Sequence, residues 1–184
     1  MSNNQLPPLV DSHCHIDFPD FDEDLDEVLE RARNAGVTKL LTICTKPNNL
    51  KKVFSIVTSY PNVYFAAGSH PLNQNKIDMF TREQLLELTL HPKMVGIGET
   101  GLDYFYSSEN SEEQKKRFRL HIAIARESSL PLIVHSRSAD LDMTNILREE
   151  YNNGSFDCVL HCFSSGSDLA KVALDLGFYL SISG

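Results

Sequence analysis

Seven short apolar runs recur along this chain: Leu9-Val10, Lys39 to Cys44, Val63 to Ala67, Met94 to Ile97, Pro131 to Val134, Cys158 to Leu160 and Phe178 to Ile182. Their starts lie about 28 residues apart on average, the length of a strand plus a crossover helix, so the spacing predicts parallel β/α architecture. The gaps read as helices. Leu25, Val28, Leu29 and Ala32 form an i, i+3, i+4, i+7 stripe stopped by Gly36, and Leu50, Val53, Phe54 and Val57 repeat it before Pro61. Thr81 with Gln84 and Ser111 with Gln114 have the spacing of capping boxes, and Asp140 and Ser167 are placed to cap the last two helices. No glycine-rich dinucleotide fingerprint follows the first run, which favours a (β/α)8 barrel of the TIM type over an open doubly wound sheet.

A complete barrel of this kind takes ~250 residues. With 184 residues and about seven βα units, the expected fold is an incomplete barrel, one domain over residues 1–184 that stops before its eighth unit. The hydrophobic share of 41% excludes a disordered chain, and no run approaches the ~18 to 20 apolar residues that cross a bilayer. Met1 to Pro8 lack the basic start and apolar centre of a secretory signal, so a cytoplasmic, membrane-free protein is expected. Cys14, Cys44, Cys158 and Cys162 lack the spacing of a disulfide scaffold. Cys14, Cys158 and Cys162 are read as small apolar fillers under the helices. A net charge of −8 offers no general basic surface to nucleic acid, so a phosphate substrate would need bound cations.

Barrel enzymes take their chemistry from the C-terminal ends of the strands. Four of the seven ends here carry metal-type donors: Asp11-Ser12-His13-Cys14-His15, Glu99 with Asp103, His135 and His161. Strand parity puts His13 and His15 on one face and Cys14 on the other. Singly, each of these residues has an ordinary reading as a solvated or capping side chain. Their coincidence at matching strand ends points to a divalent-metal site, and four histidines suggest two ions. The donors suit zinc, manganese or iron as well as magnesium. His70, before Pro71, could donate to a substrate phosphate or stiffen a turn, and Asp103 could orient a histidine or cap a loop. Arg137 could hold a phosphate or pair with a carboxylate. His91 and His121 are read as structural. Lys115, Lys116, Arg117 and Arg119 are read as a solvated helix face, and the acids from Asp20 to Asp26 as support for the first helix's N-terminus.

The ordered stretches Val10 to His15, Gly68-Ser69-His70-Pro71, Gly96 to Tyr104, His135-Ser136-Arg137 and His161-Cys162-Phe163-Ser164 resemble the TatD family of metal-dependent deoxyribonucleases over essentially the whole chain. The resemblance implies a TIM barrel that hydrolyses DNA phosphodiesters with two divalent ions. His13 and His15 would then hold one ion, His135 and His161 the other, and Glu99, the catalytic carboxylate, would bridge them. Two details depart from the family. Ser138 stands where many members carry an acid, with Asp140 two positions later, and Ser164-Ser165-Gly166-Ser167 is one serine longer than usual. Members also carry an aspartate at the end of the eighth strand that serves the attacking water, and no residue here matches it. The alternatives are an amide or ester hydrolase of the wider amidohydrolase group, and an inactive metal-binding fragment that self-associates through open barrel edges.

Overall fold

The computed structural model describes residues 7–106 and 108–183. Seven strands, β1 (Leu9–Cys14), β2 (Val37–Cys44), β3 (Val63–Ala67), β4 (Met94–Asp103), β5 (Leu132–Arg137), β6 (Cys158–Leu160) and β7 (Tyr179–Leu180), form one parallel sheet in chain order. Helices α1 (Leu25–Asn34), α2 (Leu50–Ser59), α3 (Arg82–Leu88), α4 (Ser111–Ser128), α5 (Asp140–Asn152) and α6 (Ser167–Asp175) fill the successive crossovers. The sheet curls as an incomplete TIM-like barrel. Among the described residues, no helix is long and apolar enough to cross a membrane.

Strand parity divides the core in two. Leu40, Cys44, Phe65, Ala67, Leu132, Val134, Cys158 and Leu160 face outward and pack with helix residues such as Val53, Phe118, Ile122 and Leu147. The alternate residues Ile43, Ala66 and Ile133, flanked by Leu41 and Val159, form a small apolar floor inside the curl. One residue pair further along their strands, His135 follows Ile133 and His161 follows Val159. The pleat therefore lifts both histidines off this floor toward the barrel mouth.

Strand β4 breaks its own alternation. Ile97 and Leu102 both join the helix-side core although five positions separate them, so the side-chain parity flips once between them. The β4–β5 register is irregular between Ile97 and Thr100, and this irregularity turns Glu99 and Asp103 inward. Glycine permits it. Gly98 and Gly101 have φ of +139° and +141°, and a Cβ at Gly101 would lie 2.0 Å from the His135 carbonyl oxygen.

The expected Thr81–Gln84 capping box is present, each side chain bonded to the other residue's backbone N–H. The Ser111–Gln114 box is not. Asn110 occupies the N-cap of α4, and the buried Gln114 side chain turns to strand β4 instead. Helices α5 and α6 begin on Asp140 and Ser167, with Ala139 and Gly166 at their N-caps, and Asp140 Oδ2 accepts the Gly166 N–H at 2.8 Å.

Candidate metal centre

Five histidines surround one carboxylate at the mouth of the curl. Glu99 is 3% exposed. Its Oε2 lies 3.2 Å from His13 Nε2 and 3.8 Å from His15 Nε2. Its Oε1 lies 3.0 Å from His135 Nδ1, 2.7 Å from His161 Nε2 and 3.5 Å from His70 Nε2. The His13 and His161 rings stack flat, with centroids 3.9 Å apart. These groups line an open cavity of about 540 Å³ together with Phe18, Thr45, Asn73, Cys162 and Ser183. Burial by itself would push the Glu99 pKa up, but the surrounding histidines more than reverse this and hold the carboxyl ionised.

The surrounding backbone fixes several ring tautomers. A carbonyl can only accept, so His15 Nδ1 donates to the Ile43 oxygen at 3.3 Å and leaves the Nε2 lone pair facing Glu99. Asp103 Oδ2, 2.9 Å from His135 Nε2, plays the same part for that ring and leaves Nδ1 toward Glu99. His70 is the reverse. The Leu72 N–H donates to its Nδ1 at 3.2 Å, so neutral His70 carries its proton on Nε2 and presents a donor to the cavity.

These residues fit divalent ions. His13 is buried at both ring nitrogens, yet neither makes a hydrogen bond. Two groups, His13 with Glu99 and His161, and His70 with Glu99 and His135, have candidate ligand atoms within 4.8 Å of one another and share Glu99; His70 could ligate only after giving up its Nε2 proton and its bond from Leu72. Imidazole with carboxylate is the donor chemistry of zinc, manganese and iron sites and also accommodates magnesium.

The family description TatD related DNase matches residues 10–184. The chain belongs to the TatD-related DNase family. It is 43% identical over 181 residues to the uncharacterized metal-dependent hydrolase YcfH of Escherichia coli K12, covering 96% of this chain and 66% of YcfH. It is 32% identical over 187 residues to the human deoxyribonuclease TATDN3, covering 95% of this chain and 67% of that protein. The crystal structure of the TatD homologue YJJV from Escherichia coli K12 superposes with a TM-score of 0.81 at 30% identity, over 93% of this chain and 66% of the other. The chain thus spans about two thirds of the length of these relatives.

In this TatD-family chain, His13, His15, His70, His135 and His161 lie around Glu99, with Asp103 behind His135. Arg137 stands on the rim, with its guanidinium over the Phe105 ring at 3.7 Å. The thiols divide. Cys14 donates to the Leu41 carbonyl, and burial pushes the thiols of Cys14 and Cys44 up to about 12, so neither offers a thiolate. Cys158 is buried among apolar groups as expected. Cys162 is not a filler: it is exposed on the cavity wall, because the chain turns at a φ of +47° directly after β6.

Helix α4 contributes residues that the sequence reading left out of the site. His121, fully buried, donates from Nδ1 to the Arg117 carbonyl and accepts the Ser69 N–H on Nε2 at 3.0 Å, directly behind His70. Arg117 donates to the carbonyls of Asn73 and Pro71 at 2.8 and 3.3 Å. Gln114 pairs with both the N–H and the C=O of Asp103, at 2.8 and 3.0 Å. Positions 114, 117 and 121 share one helix face, so this seam braces the His70 loop and the Asp103 strand end at once. The rest of the basic cluster is engaged as a helix surface: Lys115 pairs with Glu112 and Asp142, and Arg119 with Glu149 and Glu150. Near the other wall, buried Asp17 accepts from Thr42 and Asn49 and ties the His15 loop to β2 and α2.

Proposed function

We propose that this site belongs to a metal-dependent hydrolase that cleaves DNA phosphodiester bonds and would hold two divalent ions to activate the attacking water. One observation carries the reading: a buried, ionised carboxylate, Glu99, turns one oxygen to His13 and His15 and the other to His135 and His161. By resemblance to the family, one ion would be held by His13 and His15 and a second by His135 and His161 with Glu99 shared between them, while the donor atoms that lie within 4.8 Å of one another belong to His13, Glu99 and His161 and to His70, Glu99 and His135. Bound there, magnesium, manganese or zinc would supply charge for the phosphate oxygens and lower the pKa of water. The family description and the name of the human relative support DNA as the substrate.

The remaining residues of the site have defined work. Asp103 accepts a hydrogen bond from His135 Nε2–H and keeps that ring turned to Glu99. His70 presents its Nε2–H to the cavity, where a phosphate oxygen can accept it. Arg137 presents its guanidinium at the rim. Glu99 remains deprotonated beside its histidines and is the residue on which the reaction depends.

The test is hydrolysis of a fluorescent oligonucleotide with added magnesium, manganese or zinc, measured for the 184-residue chain and for a version extended by an eighth strand and helix. Metal content is read alongside for Glu99→Ala and His135→Ala. Metal-dependent cleavage by either protein, lost together with bound metal in both variants, is the expected result. No cleavage by either protein, or variants with unchanged metal and rate, overturns the proposal.

A further inference from the structure

The peptide between Pro71 and Leu72 is gripped at both ends. Its carbonyl oxygen accepts from Arg117 Nη2 at 3.3 Å, and its N–H, that of Leu72, donates to His70 Nδ1 at 3.2 Å. In a planar trans peptide these two groups point in opposite directions, so a guanidinium that fixes the oxygen also fixes where the N–H points. Arg117 Nη1 reaches on to the Asn73 carbonyl at 2.8 Å, which sets the guanidinium squarely across the turn. A charged donor on the carbonyl also polarises the peptide and strengthens the N–H at its far end.

The turn's own packing does not do this. The Leu72 side chain is 38% exposed. The ends of the turn are tied elsewhere, Ser69 by its N–H to His121 and Asn73 by its side chain to the carbonyls of Thr45 and Asp78. Among the described residues, the oxygen of the middle peptide is left to Arg117. Between the turn and α4 lies a hollow of about 100 Å³ lined by Pro71, Leu72, Asn73, Gln114 and Arg117, room for that peptide to rotate once the guanidinium is removed. Arg117 is a costly group to place here. Its Nε is buried without a hydrogen bond, and burial pulls its pKa below the ordinary arginine value, Glu113 offsetting only part of this.

We propose that Arg117 is the positioning residue of the His70 donor: by holding the Pro71–Leu72 peptide it turns the Leu72 N–H onto His70 Nδ1 and so keeps the proton of neutral His70 on Nε2, facing the cavity. The neighbouring rings are set the opposite way, since His15 and His135 meet acceptors, the Ile43 carbonyl and Asp103, and turn lone pairs to Glu99. Use of the His70 proton on a substrate phosphate rests on the hydrolase reading, whereas the position of that proton does not.

The experiment is therefore spectroscopic. Two-bond ¹H–¹⁵N spectra of the ¹⁵N-histidine-labelled 184-residue chain at about pH 8, where an ordinary imidazole is neutral, separate protonated from unprotonated ring nitrogens. Of the seven histidines, His70 is the one whose signals vanish in His70→Gln. The unchanged chain should show His70 with Nε2 protonated. Arg117→Met should lower the ratio of its Nε2–H to its Nδ1–H form roughly fivefold or more, and Arg117→Lys, with one ammonium that cannot bridge two carbonyls, should lower it less. Arg119→Met, which removes the pairs with Glu149 and Glu150 from the same helix, should leave the ratio unchanged. Should Arg117→Met fail to fold, Arg117→Lys decides the question, and an unchanged ratio there overturns the proposal. It is also overturned by an unchanged ratio in a folded Arg117→Met, by an equal fall in Arg119→Met, or by a His70 proton on Nδ1 in the unchanged chain. Added zinc should leave His70 Nε2 protonated, and loss of that proton to the ion would make His70 a ligand and overturn its role as donor. No cleavage is read, so failure of the hydrolase reading registers separately, in the oligonucleotide assay.

Discussion

Glu99 bears on more of this molecule than any other side chain, because its two oxygens are the only carboxylate oxygens within reach of His13, His15, His70 and His161 among the described residues. Glu99→Gln keeps the shape and removes the charge. Metal content by plasma emission spectroscopy should fall toward none, whereas a change confined to turnover would leave Glu99 outside the metal centre. His121 makes a different prediction. Burial pushes its pKa down to about 4 from an ordinary 6.5, since the folded state has no room to hydrate an imidazolium. The folded-state pKa is depressed, so the stability tied to neutral His121 is complete above pH 6.5 and is lost as pH falls from there through about 4. The full loss is about 3 kcal/mol. Urea unfolding between pH 7 and pH 4.5 should therefore show a flatter pH dependence in His121→Gln than in the unchanged chain, and equal slopes would count against the assignment.

At the scale of elements, strand β4 and helix α4 decide whether the histidines meet. Gly101 lets β4 approach β5 so closely that a Cβ would overlap the His135 carbonyl, at a φ that side-chain-bearing residues rarely adopt. Gly101→Ala should destabilise the chain by about 2 kcal/mol or more, from backbone strain and displacement of β5, and thermal unfolding checks it. An unchanged midpoint would mean that β4 can re-form without its irregular register. Gln114→Leu should act otherwise. Leucine fills similar space in the helix-side core but leaves the N–H and C=O of Asp103 unpaired, with a cost of about 1 to 3 kcal/mol. Because Asp103 orients His135, metal affinity should fall in the same variant, while Gln114→Glu, which keeps one acceptor, should recover part of it. The Ser111–Gln114 pair had capping-box spacing, yet Gln114 serves β4. The same i, i+3 pattern suits both uses, and only the strand lying beside the helix selects between them.

For the whole molecule, the donors arrive from β1, β4, β5 and β6 and from the loop after β3, so any ion bound there ties together most of the sheet. Such a site does not exist in the unfolded chain, and ions at about one hundred times their dissociation constant should stabilise the fold by about 2.7 kcal/mol. Manganese or zinc should raise the thermal midpoint and a chelator should lower it. Indifference to both would contradict the metal centre. Among the described residues, β1 pairs only with β2 and β7 only with β6, and Val10 and Tyr179 are exposed on these outer strands. Unpaired edges of this kind recruit other strands. Sedimentation of the 184-residue chain should show concentration-dependent association that Tyr179→Lys reduces. The order of strands and helices, and the histidines at or just past the ends of β1, β5 and β6, were legible in the sequence because a period of 2 or 3.6 residues is a local property that dictates which face each side chain takes. Glu99 was legible as a strand-end acid but not by parity, since its inward turn depends on the irregular register against β5. The stacking of His13 on His161, the tautomer of His70 set by Leu72, and the reach of His121 to Ser69 were decided only by tertiary structure. Each is a contact between or across elements, and its geometry follows from how the sheet curls and where α4 packs, which no local period encodes.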